Sequence, residues 1–179
     1  MKTLIIVTHP HIEDSLINKR WIEELEKYPE QYTIHQLYKA YPDEHIDVKE
    51  EQQLIEQYDY IVFQFPLYWF SSPPLLKKWQ DEVLTYGWAY GSKSGYKVGG
   101  KKVTLAISAG IDVNEYAHNE KYKYTLKELL RPFELTFEYI HADFRPFFAY
   151  YGIELNSTTE WIERSVPLYR QFLEDFAKQ

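Results

Sequence analysis

Short apolar runs rich in β-branched and aromatic residues alternate along this chain with longer stretches of helical rhythm. Thr3–Thr8, Tyr60–Phe65 and Lys102–Ser108 are near-continuous apolar runs, which predicts strands buried on both faces. Tyr32–Leu37 alternates weakly and Phe144–Tyr151 is heavily aromatic; these read as the second and fifth strands. Between them, Ile17, Trp21, Ile22 and Leu25 share a helical face, with Asp14 or Ser15 as the cap. Val48–Gln57 reads as a short acidic helix. A further helix follows Pro73-Pro74, which suit a first turn, with Ser71-Ser72 as hydroxyl caps and Leu76, Trp79 and Val83 facing inward. Leu126, Leu129, Leu130, Phe133, Phe137 and Ile140 keep a helical rhythm that Pro132 should kink or restart. Asn156 or Ser157 opens a last helix through Trp161, Val166, Tyr169, Phe172 and Phe176.

Strand and helix thus alternate from end to end. That order predicts an α/β domain spanning residues 1–179: a five-stranded parallel sheet covered on both faces, in the flavodoxin-like order 2-1-3-4-5. Ligands of such sheets bind past the carboxyl ends of the strands at the switch point, which here means His9–Asn18, Pro66–Trp69 and Ser108–Ile111. No internal repeat, linker or low-complexity stretch interrupts the pattern. Thr85–Gly100 holds five of the seven glycines together with Tyr86, Trp88 and Tyr90, and reads as a long mobile loop of the kind that is functional or disordered.

Composition narrows the function. A net charge of −7 leaves no basic footprint for nucleic acid and argues against direct adhesion to anionic lipid. The absence of cysteine removes disulfides, thiolate metal sites and thiol redox chemistry, so electron transfer would need a bound cofactor. The apolar run Leu4–Val7 is too short for a signal peptide core or a membrane span, and the expected location is the cytoplasm. His9 and His11 form a close pair, but no acidic partner stands at a recognised spacing, and no metal site is assigned. Asp43, Glu44, Asp47, Glu50 and Glu51 read as a solvated helix and its approach. Neither a dinucleotide nor a triphosphate glycine fingerprint is present, nor a G-x-S-x-G nucleophile elbow.

Each predicted loop has two readings. The first feeds a helix N-terminus, where free amides and the dipole attract an anion such as phosphate, with Ser15, Asn18 and His9 or His11 as donors; plain helix capping is the alternative. The second, Pro66-Leu67-Tyr68-Trp69, offers a flat aromatic wall and backbone polar groups suited to an isoalloxazine ring, or else a buried aromatic corner or a protein interface. The third contains Gly110, which permits close backbone approach to a ligand and would equally serve an ordinary turn. Their common placement favours a flavin site.

The stretches THPHIEDSLINKR (8–20), LYKAYPDEHIDV (37–48), QFPLYWFSSPPLLKKWQDEVLTYGWAYG (64–91) and ELLRPFELTFEYIHADFRPFF (128–148) carry a resemblance that covers nearly the whole chain. The sequence resembles the flavodoxin-like NAD(P)H:quinone oxidoreductases, most of all the ancillary oxidoreductases of bacterial glutathione-gated potassium efflux systems. The resemblance implies a homodimer binding FMN, with FAD as the alternative. It implies ping-pong, two-electron hydride transfer from NADH or NADPH to a quinone. It also implies, as a second function, a regulatory subunit of a membrane potassium-efflux antiporter, held at the inner face of the cell membrane through that partner. Carried over by position, His9 and Ser15, Leu16, Ile17 and Asn18 match the flavin-phosphate loop. Pro66, Leu67, Tyr68 and Trp69 match the loop along the ring. Ser108, Ala109, Gly110 and Ile111 match a loop usually written Thr-Thr-Gly-Gly, of which only Gly110 is kept in kind. Tyr116 falls where larger family members carry a tyrosine beside the flavin and is the candidate catalytic residue, with His118 and Tyr122 as nearby alternatives. Trp88 and Tyr90 are candidates for walling the pocket, of this subunit or its partner.

Overall fold

A computed structural model describes residues 2–93 and 95–178. The element order is β1 (Thr3–Val7), α1 (Ile17–Leu25), β2 (Tyr32–Gln36), α2 (Leu37–Ala40), α3 (Val48–Glu56), β3 (Tyr60–Pro66), α4 (Pro74–Val83), β4 (Lys102–Ala109), α5 (Leu126–Leu129), α6 (Arg131–Tyr139), β5 (Asp143–Phe144), β6 (Phe148–Tyr151) and α7 (Thr159–Lys178). The strands form one parallel sheet in the order β2-β1-β3-β4-β5, with β6 also paired to β4. This is the flavodoxin-like topology that the alternating pattern predicts.

Alternation along the central strands feeds two cores. Leu4, Ile6, Phe63 and Phe65 face α3, α4 and α6, where they meet Leu76, Trp79, Phe133 and Phe137. Ile5, Val7 and Val62 face α1 and α7, where they meet Trp21, Leu25, Tyr169 and Phe176. Strands buried on both faces, and apolar at most positions, are therefore what this architecture requires.

Several elements differ in detail from expectation. The fifth strand is split, because Pro146 cannot donate to the ladder; the break places the Arg145 and Pro146 carbonyls on the Thr104 hydroxyl (3.3 and 2.9 Å). Pro132 starts α6 after a separate short α5, the second of its two predicted outcomes. The caps of α4 are not Ser71 or Ser72: Pro73 holds that position without a side-chain bond, and the Leu75 amide donates to the Tyr38 hydroxyl at 3.4 Å. Thr158, and neither Asn156 nor Ser157, caps α7 by accepting from the Trp161 amide. Among its described residues the glycine-rich loop contains no strand or helix, but it is tied down: Ala89 and Val98 are buried, and the Lys97 amide donates to the Trp88 carbonyl.

The acidic run is the main correction. Asp47 caps α3 by accepting from the Glu50 amide, as a solvated start would. Glu51, however, is fully buried. Its carboxylate meets His35 Nε2 at 2.6 Å and accepts from the Tyr41 hydroxyl at 2.8 Å and the Trp79 indole at 2.7 Å. Burial by itself pushes the Glu51 carboxyl up, but the bonds from His35, Trp79 and Tyr41 hold it below the usual carboxylate range. The same environment raises the Tyr41 hydroxyl, chiefly by burial and then by the carboxylate it serves. A buried carboxylate costs free energy unless it is hydrogen-bonded, and three donors from β2, the end of α2 and α4 serve its two oxygens. Glu51→Ala would strand those donors, and equilibrium urea unfolding should register a loss of about 3–5 kcal/mol. A loss below about 1 kcal/mol, the range of an exposed ion pair, would show that the cluster contributes no more than a surface contact.

Candidate functional site

The parallel register brings the three predicted loops to one edge of the sheet. Val7 stands opposite Gln64, and Pro66 opposite Ser108. The Thr8 amide donates to the Gln64 carbonyl (2.9 Å) and the Leu67 amide to the Ser108 carbonyl (2.8 Å), so each strand hands its neighbour's loop a fixed starting point.

Beneath them runs a buried polar chain. The Tyr169 hydroxyl donates to Gln64 Oε1 at 2.9 Å. Gln64 Nε2 donates to the Asn18 backbone carbonyl at 3.2 Å and approaches its Oδ1 at 3.3 Å. Asn18 Nδ2 donates to Ser108 Oγ at 2.8 Å. One residue from each of α7, β3, α1 and β4 is thereby joined. Asn18 is consequently no free donor: its side chain is buried, as is that of Ile17, which packs in the core. Any contact these two residues make with a ligand runs through the backbone.

Ser15 has extended backbone and its Oγ accepts from the Asn18 amide at 3.1 Å, the arrangement of an N-cap, so α1 begins in effect at Leu16. Among the described residues, the Leu16 and Ile17 amides have no protein acceptor, and the buried Thr8 hydroxyl has no partner. His9 Nδ1 accepts from the His11 amide at 3.2 Å, which leaves its proton on Nε2. Burial, reinforced by His11, lowers His9 to about 4 against the weaker opposing effect of Asp14. A cavity of about 350 Å³ opens beside this loop, between Val7, His9, Ile12, Glu13 and the β2–α2 residues Gln36, Tyr38 and Lys39.

The second loop is a two-residue reversal. Tyr68 and Ser71 exchange backbone bonds of 3.0 and 2.9 Å, and Trp69 and Phe70 at the tip both take positive φ (47° and 61°). Such turns ordinarily use Asn-Gly or Asp-Gly, and a pair of aromatics there is strained. The strain presents Trp69 to solvent at 93% exposure and sets Phe70 edge-on to Tyr122, 5.1 Å between centroids. Tyr122 continues to Tyr116 (5.3 Å), and Tyr116 to Tyr151 (5.8 Å). Tyr68 meets His9 edge-on at 6.5 Å, which links the first loop to the second. Burial, with Tyr122, Tyr151 and Glu154 close by, raises the Tyr116 hydroxyl to about 12, so it stays protonated and able to donate.

In the third loop the Ala109, Gly110 and Ile111 carbonyls accept from the amides of Gly152, Ile153 and Glu154 at 2.9–3.3 Å. The side chains of Ser108 and Ala109 are buried, so this loop offers backbone amides; those of Gly110 and Ile111 have no acceptor among the described residues. The space that Gly110 leaves open holds the Glu154 carboxylate, a residue to which no sequence pattern pointed.

His118 is exposed, its ring near the Lys123 carbonyl and Glu128, and makes no contact with Tyr116. Trp88 and Tyr90 lie elsewhere on the chain. The Trp88 indole donates to Glu56 at the end of α3, and Tyr90 packs at a tilt against Tyr139, 5.7 Å between centroids, beside a cavity of about 480 Å³ between α4 and α6. Loop 85–100 leads into the amino end of β4, opposite the site, so neither ring walls the pocket of its own chain.

Neutral His9 gives the site a pH signature. The unfolded imidazole takes its proton near 6.5 and the folded one near 4. In that interval the unfolded chain binds more protons, so this contribution to stability is complete above 6.5 and disappears as pH falls toward 4. The urea midpoint should drop between pH 7 and pH 5, and drop less in His9→Phe; parallel declines would mean the imidazole is not held neutral.

A sequence model described as flavodoxin-like fold matches residues 1–173. The chain is 51% identical over 152 residues to the uncharacterized NAD(P)H oxidoreductase YrkL of Bacillus subtilis (strain 168), covering 85% of this chain and 86% of that one. It is 40% identical over 135 residues to the glutathione-regulated potassium-efflux system ancillary protein KefG of Enterobacter sp. (strain 638), covering 75% and 73%. Among solved structures, general stress protein 14 of Treponema denticola in complex with FMN superposes with a TM-score of 0.92 at 44% identity, covering 98% of this chain and 99% of that one. An NADPH-quinone reductase from P. pentosaceus superposes at 0.85 with 32% identity, covering 97% and 98%.

Proposed function

This chain belongs to the flavodoxin-like fold family, and we propose that within it the protein is an FMN-dependent NAD(P)H:quinone oxidoreductase. The observation that carries the reading is the convergence of unpaired amides and an aromatic wall at one sheet edge: Leu16–Ile17, Gly110–Ile111 and the Trp69–Phe70 turn. The FMN in the T. denticola relative and the quinone reductase name of the P. pentosaceus relative support it.

The residues present fit the group. The Leu16 and Ile17 amides at the start of α1, with the Ser15 hydroxyl still able to donate, suit a phosphate. His9, neutral with its proton on Nε2, adds a donor without adding charge. Pro66, Leu67, Tyr68 and Trp69 would border the ring, and the amides of Gly110 and Ile111 would face its polar edge. When bound, FMN supplies the hydride acceptance and donation that no side chain of this cysteine-free protein can. The chain's own part is to position rings and keep water out. Tyr116, protonated and mostly buried, would donate a hydrogen bond to a carbonyl of the acceptor. Ping-pong alternation of nicotinamide and quinone in one open pocket, a homodimer and a cytoplasmic location belong to the same proposal. No helix among the described residues is long and apolar enough to cross a membrane.

The similarity to an efflux-system ancillary protein favours a second reading, a regulatory subunit docked on a membrane antiporter. Association with the antiporter under gentle solubilisation would support it, and turnover without association would remove it.

The decisive measurement is an absorption spectrum after loading with FMN, FAD or neither and desalting. Retained flavin bands, bleached by NAD(P)H and restored by a quinone, are expected with FMN; no retained flavin would overturn the proposal. Ser15→Ala should weaken FMN binding by about 1.5–3 kcal/mol through loss of a charge-assisted hydrogen bond, while the lost cap costs the fold about 1 kcal/mol. Unchanged affinity in a titration would take Ser15 out of the phosphate site.

A further inference from the structure

Gly152, at φ 89°, turns the chain back at the end of β6, and Asn156 holds the turn by bonding the Gly152 carbonyl through both its backbone amide (2.9 Å) and its side chain (3.2 Å). The reversal lays residues 152–154 along the third loop, where their amides occupy its carbonyls. It also carries the Glu154 carboxyl into the space where Gly110 lacks a side chain: a Cβ there would stand 2.8 Å from Glu154 Cδ. A larger residue at 110 would displace this carboxyl, because the atoms its Cβ would meet all belong to the Glu154 side chain.

The charges around it are unequal. Glu115 has a counter-ion in Lys121 at 3.6 Å. Asp112 is spent on its own turn, accepting from the backbone and side chain of Asn114. The Glu154 carboxylate has neither an ion pair nor a hydrogen bond among the described residues, the residue is exposed, and it lies close enough to Tyr116 to push its hydroxyl pKa upward. A carboxylate lying against a loop, yet bonded to nothing there, exerts its field on whatever enters.

We propose that Glu154 is the charge-setting residue of the site: its carboxylate, seated over Gly110 near Tyr116, selects neutral quinones over anionic ones and disfavours negative charge on the reduced cofactor. The inference rests on the flavin reading above and specifies the acceptor class that reading leaves open. Glu154 acts through its field and takes no proton from the substrate. An anionic acceptor meets repulsion that a neutral one of the same shape does not, and two unit charges several ångströms apart in a half-solvated pocket interact by an amount that solvent weakens without abolishing.

The test compares FMN-loaded wild type with Glu154→Gln, which keeps the size and the exposed position. The acceptors are unsubstituted 1,4-naphthoquinone and its sulfonate. Wild type should favour the neutral quinone, and the substitution should raise kcat/KM for the sulfonate roughly fivefold relative to the neutral compound, a gap that narrows as salt rises. Independently of turnover, the midpoint potential of bound FMN should move positive in Glu154→Gln. An unchanged selectivity ratio together with an unchanged potential, in protein that retains FMN and reduces naphthoquinone, overturns the role of Glu154 alone. Wild-type protein that retains no FMN overturns the flavin reading and this inference with it.

Discussion

The chain of bonds from Tyr169 through Gln64 and Asn18 to Ser108 is the constraint on which the site depends. Each member is buried, and each comes from a different element. Buried polar groups are costly unless satisfied, so the four side chains hold one another to a single arrangement. Asn18 fixes the first turn of α1, Gln64 sits two residues before Pro66, and Ser108 immediately precedes the third loop. Helix start, aromatic turn and glycine loop are thus tied to a common anchor from below. The unpaired amides above it can face a ligand without moving, and preorganisation of that kind lowers the cost of binding.

A second buried anchor lies on the other side of the sheet. Glu51 gathers His35, Tyr41 and Trp79, tying the end of β2 and the α2 turn to α3 and α4. The short helix α2 directs Tyr38 to the amide of Leu75, where α4 begins after the aromatic turn. The strained Trp69–Phe70 reversal is therefore clamped at both ends: by β3 and Ser108 before it, and by Tyr38 after it. Two residues at positive φ persist only when their surroundings leave no relaxed alternative, and these two clamps are that surrounding.

The fold was legible because its signals are local. Five apolar runs, separated by helical rhythms and broken at Pro66, Pro73 and Pro132, leave little freedom in a parallel sheet with right-handed crossovers. The three loops followed from topology, and Ser15 from its place ahead of an apolar helical face. What escaped depends on distant partners. Asn18 looks like a ligand donor until Gln64 and Ser108 arrive beside it. Glu51 looks like one more surface acid in an acidic run, because nothing in residues 43–51 shows that a histidine, a tyrosine and a tryptophan from elsewhere converge on it. Pro146 was visible, but the aromatic density of Phe144–Tyr151 outweighed it, and the strand proved to be two. Glu154 had no signal at all: it matters only because Gly110 and Gly152 bring two segments about forty residues apart into backbone contact.

The same comparison says how function is distributed over this scaffold. The first and second loops have the chemistry of their positions: free amides at a helix start, and flat rings at a switch point. In the third, Ser-Ala-Gly-Ile, the carbonyls of Ala109, Gly110 and Ile111 are taken by the segment after β6. The hydroxyl of Ser108 is buried and accepts from Asn18, while the Gly110 and Ile111 amides stay open, and the returning segment adds a carboxylate where none would come from the loop itself. On the flavin reading, such a site would offer an isoalloxazine ring flat surface and backbone donors, and would present an acceptor with charge at the rim. A change at Glu154 would leave the anchor of Asn18, Gln64, Ser108 and Tyr169 intact, because none of its bonds involves that carboxylate.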